Sequence, residues 1–141
     1  MDPVTAVGLA SAILTFIDFG WEVASGAVGV YRSLDGTLDE NARLGDVMDD
    51  LHLIAEDLKT GSPGKTPLDR ALKKLAENCL DDSKELQDIL QKLSVKGKRT
   101  AWKSLKASLA SQLKSDQIKG LKRRLQESRS EILLHLNRIF R

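Results

Sequence analysis

The sequence predicts an all-α fold: an antiparallel four-helix-type bundle of four to five helices, with an apolar N-terminal helix buried centrally. Three observations carry that expectation. Apolar residues recur at spacings of three and four through most of the chain after residue 38. Only three prolines occur in 141 residues. The most apolar stretch, "PVTAVGLASAILTFIDFGWEVASG", stands at the N-terminus. Two helices of more than twenty residues, each with one apolar stripe and joined to its neighbours by short loops, pack as an antiparallel bundle. At this length, residues 1–141 suit one domain with a core that needs no staples. A chain that is 41% hydrophobic and 30% charged is folded rather than disordered.

Helices are expected at approximately 3–32, 38–59, 67–93, 99–113 and 115–140. Asp2 then Pro3 reads as N-cap and first helical residue, because proline's fixed φ suits a first turn where its missing N–H costs nothing. The pattern stays helical to about Tyr31, with a weak point at Gly20, until "SLDG" (33–36) breaks it. Thr37-Leu38-Asp39-Glu40 reads as a capping box. The helix after it places Leu44, Val47, Met48, Leu51, Ile54, Ala55 and Leu58 on one face. "TGSPGKTP" (60–67) is the clearest loop, and Thr66-Pro67 restarts a helix striped by Leu68, Ala71, Leu72, Leu75, Cys79, Leu86, Ile89, Leu90 and Leu93. "SVKGK" (94–98) closes it. Trp102, Leu105, Leu109 and Leu113 mark a fourth segment. Ser115, as N-cap, leads a last helix carrying Ile118, Leu121, Leu125, Ile132, Leu136 and Ile139.

The later helices are apolar on one stripe only. The first is apolar nearly all round, with Val4, Val7, Leu9, Ile13, Leu14, Phe16, Ile17, Phe19 and Trp21 covering every direction. Such a helix must be covered on all sides by protein or by lipid. A signal peptide is disfavoured, because Asp2 stands where a basic n-region belongs. A constitutive membrane span is disfavoured too: the uncharged run from Pro3 to Ile17 is 15 residues, and Asp18 and Glu22 then interrupt it. What fits is a helix buried in protein that finds lipid when released.

The net charge of +2 hides an asymmetry. Residues 1–91 hold 8 basic and 17 acidic side chains, whereas residues 92–141 hold 14 basic and 3 acidic. Either the acidic and basic helices lie against each other, or the basic half presents a surface to phosphates, lipid or nucleic acid. "KGKRTAWKSLKASLASQLK" (96–114) is a basic amphipathic stretch, read either as a solvated helix or as a contact for anionic lipid. Nucleic acid is not expected, because Trp102 and Phe140 stand alone where a stacking set of aromatics belongs.

Chemistry-bearing motifs are scarce. "GSPGKT" (61–66) imitates a phosphate-binding loop but fails on glycine spacing and follows no strand. His52 and His135 lie far apart and Cys79 is the only cysteine, so neither a metal centre nor an internal disulfide is expected. Cys79 reads as a core residue in a reducing compartment. No nucleophile–base arrangement stands out; neither catalysis nor a cofactor is expected.

Asp2-Pro3-Val4, "GLASAILTFIDFG" (8–20) and "VYRSLDG" (30–36) resemble the start of the fungal HeLo-like domain family, found at the N-terminus of NOD-like receptors and in smaller executioner proteins. The likeness is dense over the first 36 residues; beyond them it consists of leucine periodicity and domain length. The resemblance implies a cell-death or heterokaryon-incompatibility effector. It would be cytoplasmic while inactive, clustered by an upstream receptor or amyloid-signalling module, and would reach the plasma membrane as a homo-oligomer whose first helix permeabilises the bilayer. The inserting surface would be Val4, Val7, Leu9, Ile13, Leu14, Phe16, Ile17 and Phe19. Asp18 and Glu22, one turn apart, would form the polar line of a pore. Lys96, Lys98, Arg99, Lys103 and Lys106 would meet anionic membrane lipids first. The rival reading is a soluble oligomerisation or adaptor domain whose first helix stays buried.

Overall fold

A computed structural model of the chain describes residues 3–25, 31, 32, 38, 39, 44–59, 66–93, 101 and 116–139. Four helices, α1 (Pro3–Ser25), α2 (Leu44–Leu58), α3 (Pro67–Leu93) and α4 (Asp116–Ile139), build the antiparallel bundle. The expected fourth segment, 99–113, lies outside the described residues apart from the exposed Ala101.

Direction along the bundle follows from cross-helix partners. Asp18 of α1 meets Arg129 of α4 and Trp21 meets Lys122, so the two helices run oppositely. Asp82 and Glu85 of α3 meet Arg124, while Ser128, further along α4, bonds Cys79. Hence α3 is also antiparallel to α4, and α1 and α3 are parallel. These two nevertheless pack on each other, and α1 also packs on α2 and α4. Like α3, the first helix thus packs on all three of the others.

A seven-residue rhythm explains how three helices share one core. In α1, Ala6, Leu9, Ile13, Phe16, Gly20 and Val23 are buried; in α3, Leu72, Leu75, Cys79, Asp82, Leu86 and Ile89; in α4, Ile118, Leu121, Leu125, Ser128, Ile132 and His135. Alternating steps of three and four keep each set on the side facing its neighbours. All seven residues assigned to the inner face of α2 are buried. Cys79 is a core residue, and burial pushes its thiol up to about 12, with the Asp82 charge adding to the rise.

Two boundaries differ from the sequence expectation. The first helix ends at Ser25 rather than near residue 32, and Tyr31–Arg32 is an extended pair (β1). It bonds antiparallel to Leu38–Asp39 (β2), with Tyr31 opposite Asp39 and Arg32 opposite Leu38. The capping box assigned to Thr37–Glu40 therefore does not start α2, which begins at Leu44. Tyr31, an aromatic residue, favours the extended backbone it adopts. Gly20, in contrast, lies inside an unbroken helix, where Leu125 and the Phe16 ring approach it.

A reciprocal cap does open α3. The Asp69 amide donates to the Thr66 hydroxyl at 3.0 Å, and the Thr66 amide donates back to the Asp69 carboxylate at 3.4 Å. Burial works to raise the Asp69 carboxyl, but the hydrogen bonds from Thr66, with the positive N-terminus adding to them, hold the group below its ordinary value. Stability from this cap is thus present above the ordinary value of 3.8 and declines as pH falls below it. Thr66→Ala should lower the unfolding free energy by about 1 kcal/mol in urea titrations at pH 7.

Candidate functional site

Of the inserting surface expected from sequence, Leu9, Ile13, Phe16, Ile17 and Phe19 are buried, and Val7 and Leu14 are half-buried. Val4 belongs to α1, but its side chain lies outside the described ones. Burial is supplied from three sides, since α2, α3 and α4 all pack on this helix. Ala6–Ser25, 20 residues, is long and apolar enough to cross a membrane, and among the described residues no other helix is. At 1.5 Å per residue that segment reaches about 30 Å, the thickness of a bilayer's hydrocarbon core.

Full apolarity, however, is not what the structure has. Gly8, Ser11, Thr15, Asp18 and Glu22 are all exposed. Their spacings of three, four, three and four set them in one narrow line along α1. A helix wrapped by three neighbours leaves one side open, and the open side is where the small and polar residues fall. Thr15 closes its own hydrogen-bond account by donating from Oγ1 to the Ser11 carbonyl at 2.9 Å, so its hydroxyl depends less on water. Asp18 and Glu22 share this line, as their one-turn spacing requires. From sequence Gly8 stands out only as one of several small residues, with Ala6, Ala10 and Ala12, that would let membrane helices approach closely; Ser11 and Thr15 escaped notice, although their regular spacing with Gly8, Asp18 and Glu22 was the available signal.

Grooves flank the line on both sides. Towards α2, Gly8, Ser11, Ala12, Thr15, Ile54 and Asp57 enclose about 330 Å³, and a side chain added at Gly8 would meet nothing within 4 Å. Towards α4, Ile17, Trp21, Leu125, Gln126 and Arg129 enclose about 210 Å³. Lys122 Nζ sits 4.7 Å from the Trp21 ring centroid, a cation–π contact. Arg129 pairs with Asp18, with both side chains more than half exposed. Neither Lys122 nor Arg129 is an expected site residue, and only the tertiary fold sets them beside α1. The expected lipid patch, Lys96, Lys98, Arg99, Lys103 and Lys106, lies outside the described residues.

A third groove, of about 420 Å³ between α3 and α4, is lined by Asp81, Asp82, Glu85, Glu127, Glu131 and Arg124, among others. Arg124 bonds Asp82 at 2.9 Å and also bonds Glu85. Burial raises the Asp82 carboxyl, Arg124 opposes the rise, and Glu85 and Asp81 add to it. Here the acidic first half of the chain meets the basic second half, and Arg129–Asp18 repeats the pairing across α1. Among the described residues no cluster of three His, Cys, Asp or Glu is disposed to hold a metal ion. His52 is exposed on α2 and His135 is buried on α4. Comparison with protein-family models, with curated proteins and with solved structures finds no match for this chain.

Proposed function

We propose that this bundle is a membrane-targeting, pore-forming cell-death effector domain whose first helix leaves the core and inserts into the plasma membrane after oligomerisation. One observation carries the reading: the helix long and apolar enough to span a bilayer is sheathed by the other three, yet it bears a single line of small and polar residues. In a soluble bundle that line faces water. In a ring of inserted helices the same line faces a water-filled lumen, while Leu9, Ile13, Phe16 and Ile17 turn to lipid.

The energetics favour release only in company. Fully burying a side chain such as Leu9, Ile13 or Phe16 is worth roughly 1.5–3 kcal/mol, and the bilayer returns that term because lipid tails are as apolar as leucine. The apolar stripes of α2, α3 and α4, stripped of α1, regain no such cover from lipid. Self-association supplies it, which is why clustering by an upstream receptor or amyloid-signalling module fits as the trigger.

Gly8 separates folding from insertion. Gly8→Ala should raise stability by about 0.5–1 kcal/mol, since alanine is the better helix former and its Cβ enters open space. Gly8→Leu should also fold, but it sets a bulky apolar side chain in the line that faces the lumen, where an apolar constriction expels water. Leakage of dye from anionic vesicles by the clustered protein should fall at least tenfold in Gly8→Leu, and should vanish when residues 2–20 are deleted from a folded, oligomerised fusion. Leakage that survives the deletion defeats the insertion reading and leaves the soluble adaptor.

A further inference from the structure

α4 divides its charges between its two flanks. Lys119, Lys122, Gln126, Arg129 and Leu133 follow one another at steps of three, four, three and four, on the flank that meets α1. Arg124, Glu127 and Glu131 occupy the other flank, against Asp81, Asp82 and Glu85 of α3. The α1 flank therefore joins three cations to the half-buried Trp21 and to Leu133, an exposed leucine at 47%. The apolar floor beneath is Ile17 and Leu125. Asp18 is the acid that pairs there, and its bond to Arg129 is between two exposed side chains. Such an exposed pair contributes little in water, so a phosphate displaces the carboxylate at little cost. An arginine fork also suits a phosphodiester as well as it suits a carboxylate.

We infer that the α1–α4 groove is where the headgroup of an anionic bilayer lipid docks. The lipid phosphate takes Arg129 and Lys122, the glycerol and upper acyl region lies on Trp21 and Leu133, and Asp18 is released from its latch. The inference rests on the membrane reading above and gives it a place and a consequence: contact with the bilayer removes the ion pair that ties the first helix to the last. Charge complementarity selects the lipid. The flank is cationic, and its apolar residues stand in line with the cations, as an interface between headgroups and acyl chains requires.

The test is vesicle co-sedimentation of the full chain, using phosphatidylcholine with and without about one-third phosphatidylserine. Brominated lipid reads Trp21 quenching in a Trp102→Phe background. Lys122→Gln/Arg129→Gln should lower the partition onto anionic vesicles about thirtyfold, at roughly a fivefold factor per cation near the surface, and should abolish Trp21 quenching. Arg123→Gln/Arg138→Gln, the same charge change at exposed positions off this line, should lower it less than threefold. Asp18→Asn should raise it about fivefold. Equal losses in the two double variants, or unquenched Trp21 in bound protein, overturn the inference. So does soluble glycerophosphoserine that competes at the concentration of the vesicle lipid, since the occupant is then a free anion. Wild-type protein that docks at Trp21 but releases no dye leaves the groove standing and defeats pore formation instead.

Discussion

Phe16→Ala should lower the unfolding free energy by about 3–5 kcal/mol, which consumes much of the 5–15 kcal/mol that holds an ordinary domain together. Phe16 is fully buried, stands midway along α1 and contributes to the wall that Gly20 approaches. Three helices close on α1, so the void left by the ring has neighbours on every side, each fixed by its own packing. Urea denaturation followed by far-ultraviolet circular dichroism gives the number directly. A cost below about 1 kcal/mol at unchanged slope means that the surroundings collapse into the gap, and that α1 is not held by fixed packing from the three helices around it. Exposed positions on the same helix supply the control: Ser11→Ala should change stability by less than about 0.5 kcal/mol.

Arg124→Ala should cost about 2–3 kcal/mol at pH 7. Asp82 sits in the apolar rhythm of α3 with a side chain only 7% exposed, and Arg124 satisfies it at 2.9 Å. Removing one partner of such a pair leaves a desolvated charge, a penalty of roughly 3–5 kcal/mol when both groups are buried. The figure here is smaller because Arg124 is 38% exposed and water enters where it leaves. The pH dependence has a definite sign. Asp82 already has its carboxyl raised by burial, so the folded state binds its proton more readily than the unfolded chain does. Its contribution is most favourable below the ordinary value of 3.8 and is lost as pH rises through the higher folded value. Without Arg124 that folded value climbs further. The deficit of the variant relative to wild type should therefore shrink as pH is lowered from 7 towards 4. Asp82→Leu/Arg124→Leu should recover most of the loss, because a packed apolar pair carries no desolvation cost. A deficit that is flat with pH shows that the arginine acts through its packing alone.

Local patterns were legible wherever one face of a helix was buried. The inner residues of α2, from Leu44 to Leu58, are readable one by one because burial on a single side imposes the helical period. The opening of α3 at Thr66-Pro67 is equally readable, since a threonine hydroxyl three residues before an acid meets the unpaired amides of a first turn. Thr37–Glu40 presents the same signature and yet lies partly in a strand pair. A cap motif states which amides a side chain is able to satisfy; it does not state whether competing backbone preferences nearby win. Ser128 and His135 hold the seam positions of α4 although neither is apolar, and a reading by hydrophobicity passes over both.

The amino-acid order alone determined that the chain is helical, that its first helix is the most apolar, and that acid and base are divided between its halves. These are properties of neighbours along the chain, where periods of three and four and a short count of charges suffice. Only the tertiary structure decided which side of α1 stays open, that Asp18 faces Arg129, and that Lys122 rests on Trp21. Each of those pairings joins residues a hundred or more positions apart, and nothing local encodes which face of α4 turns towards α1. That choice is made when four stripes are buried at once and one narrow line of small and polar residues is left to water.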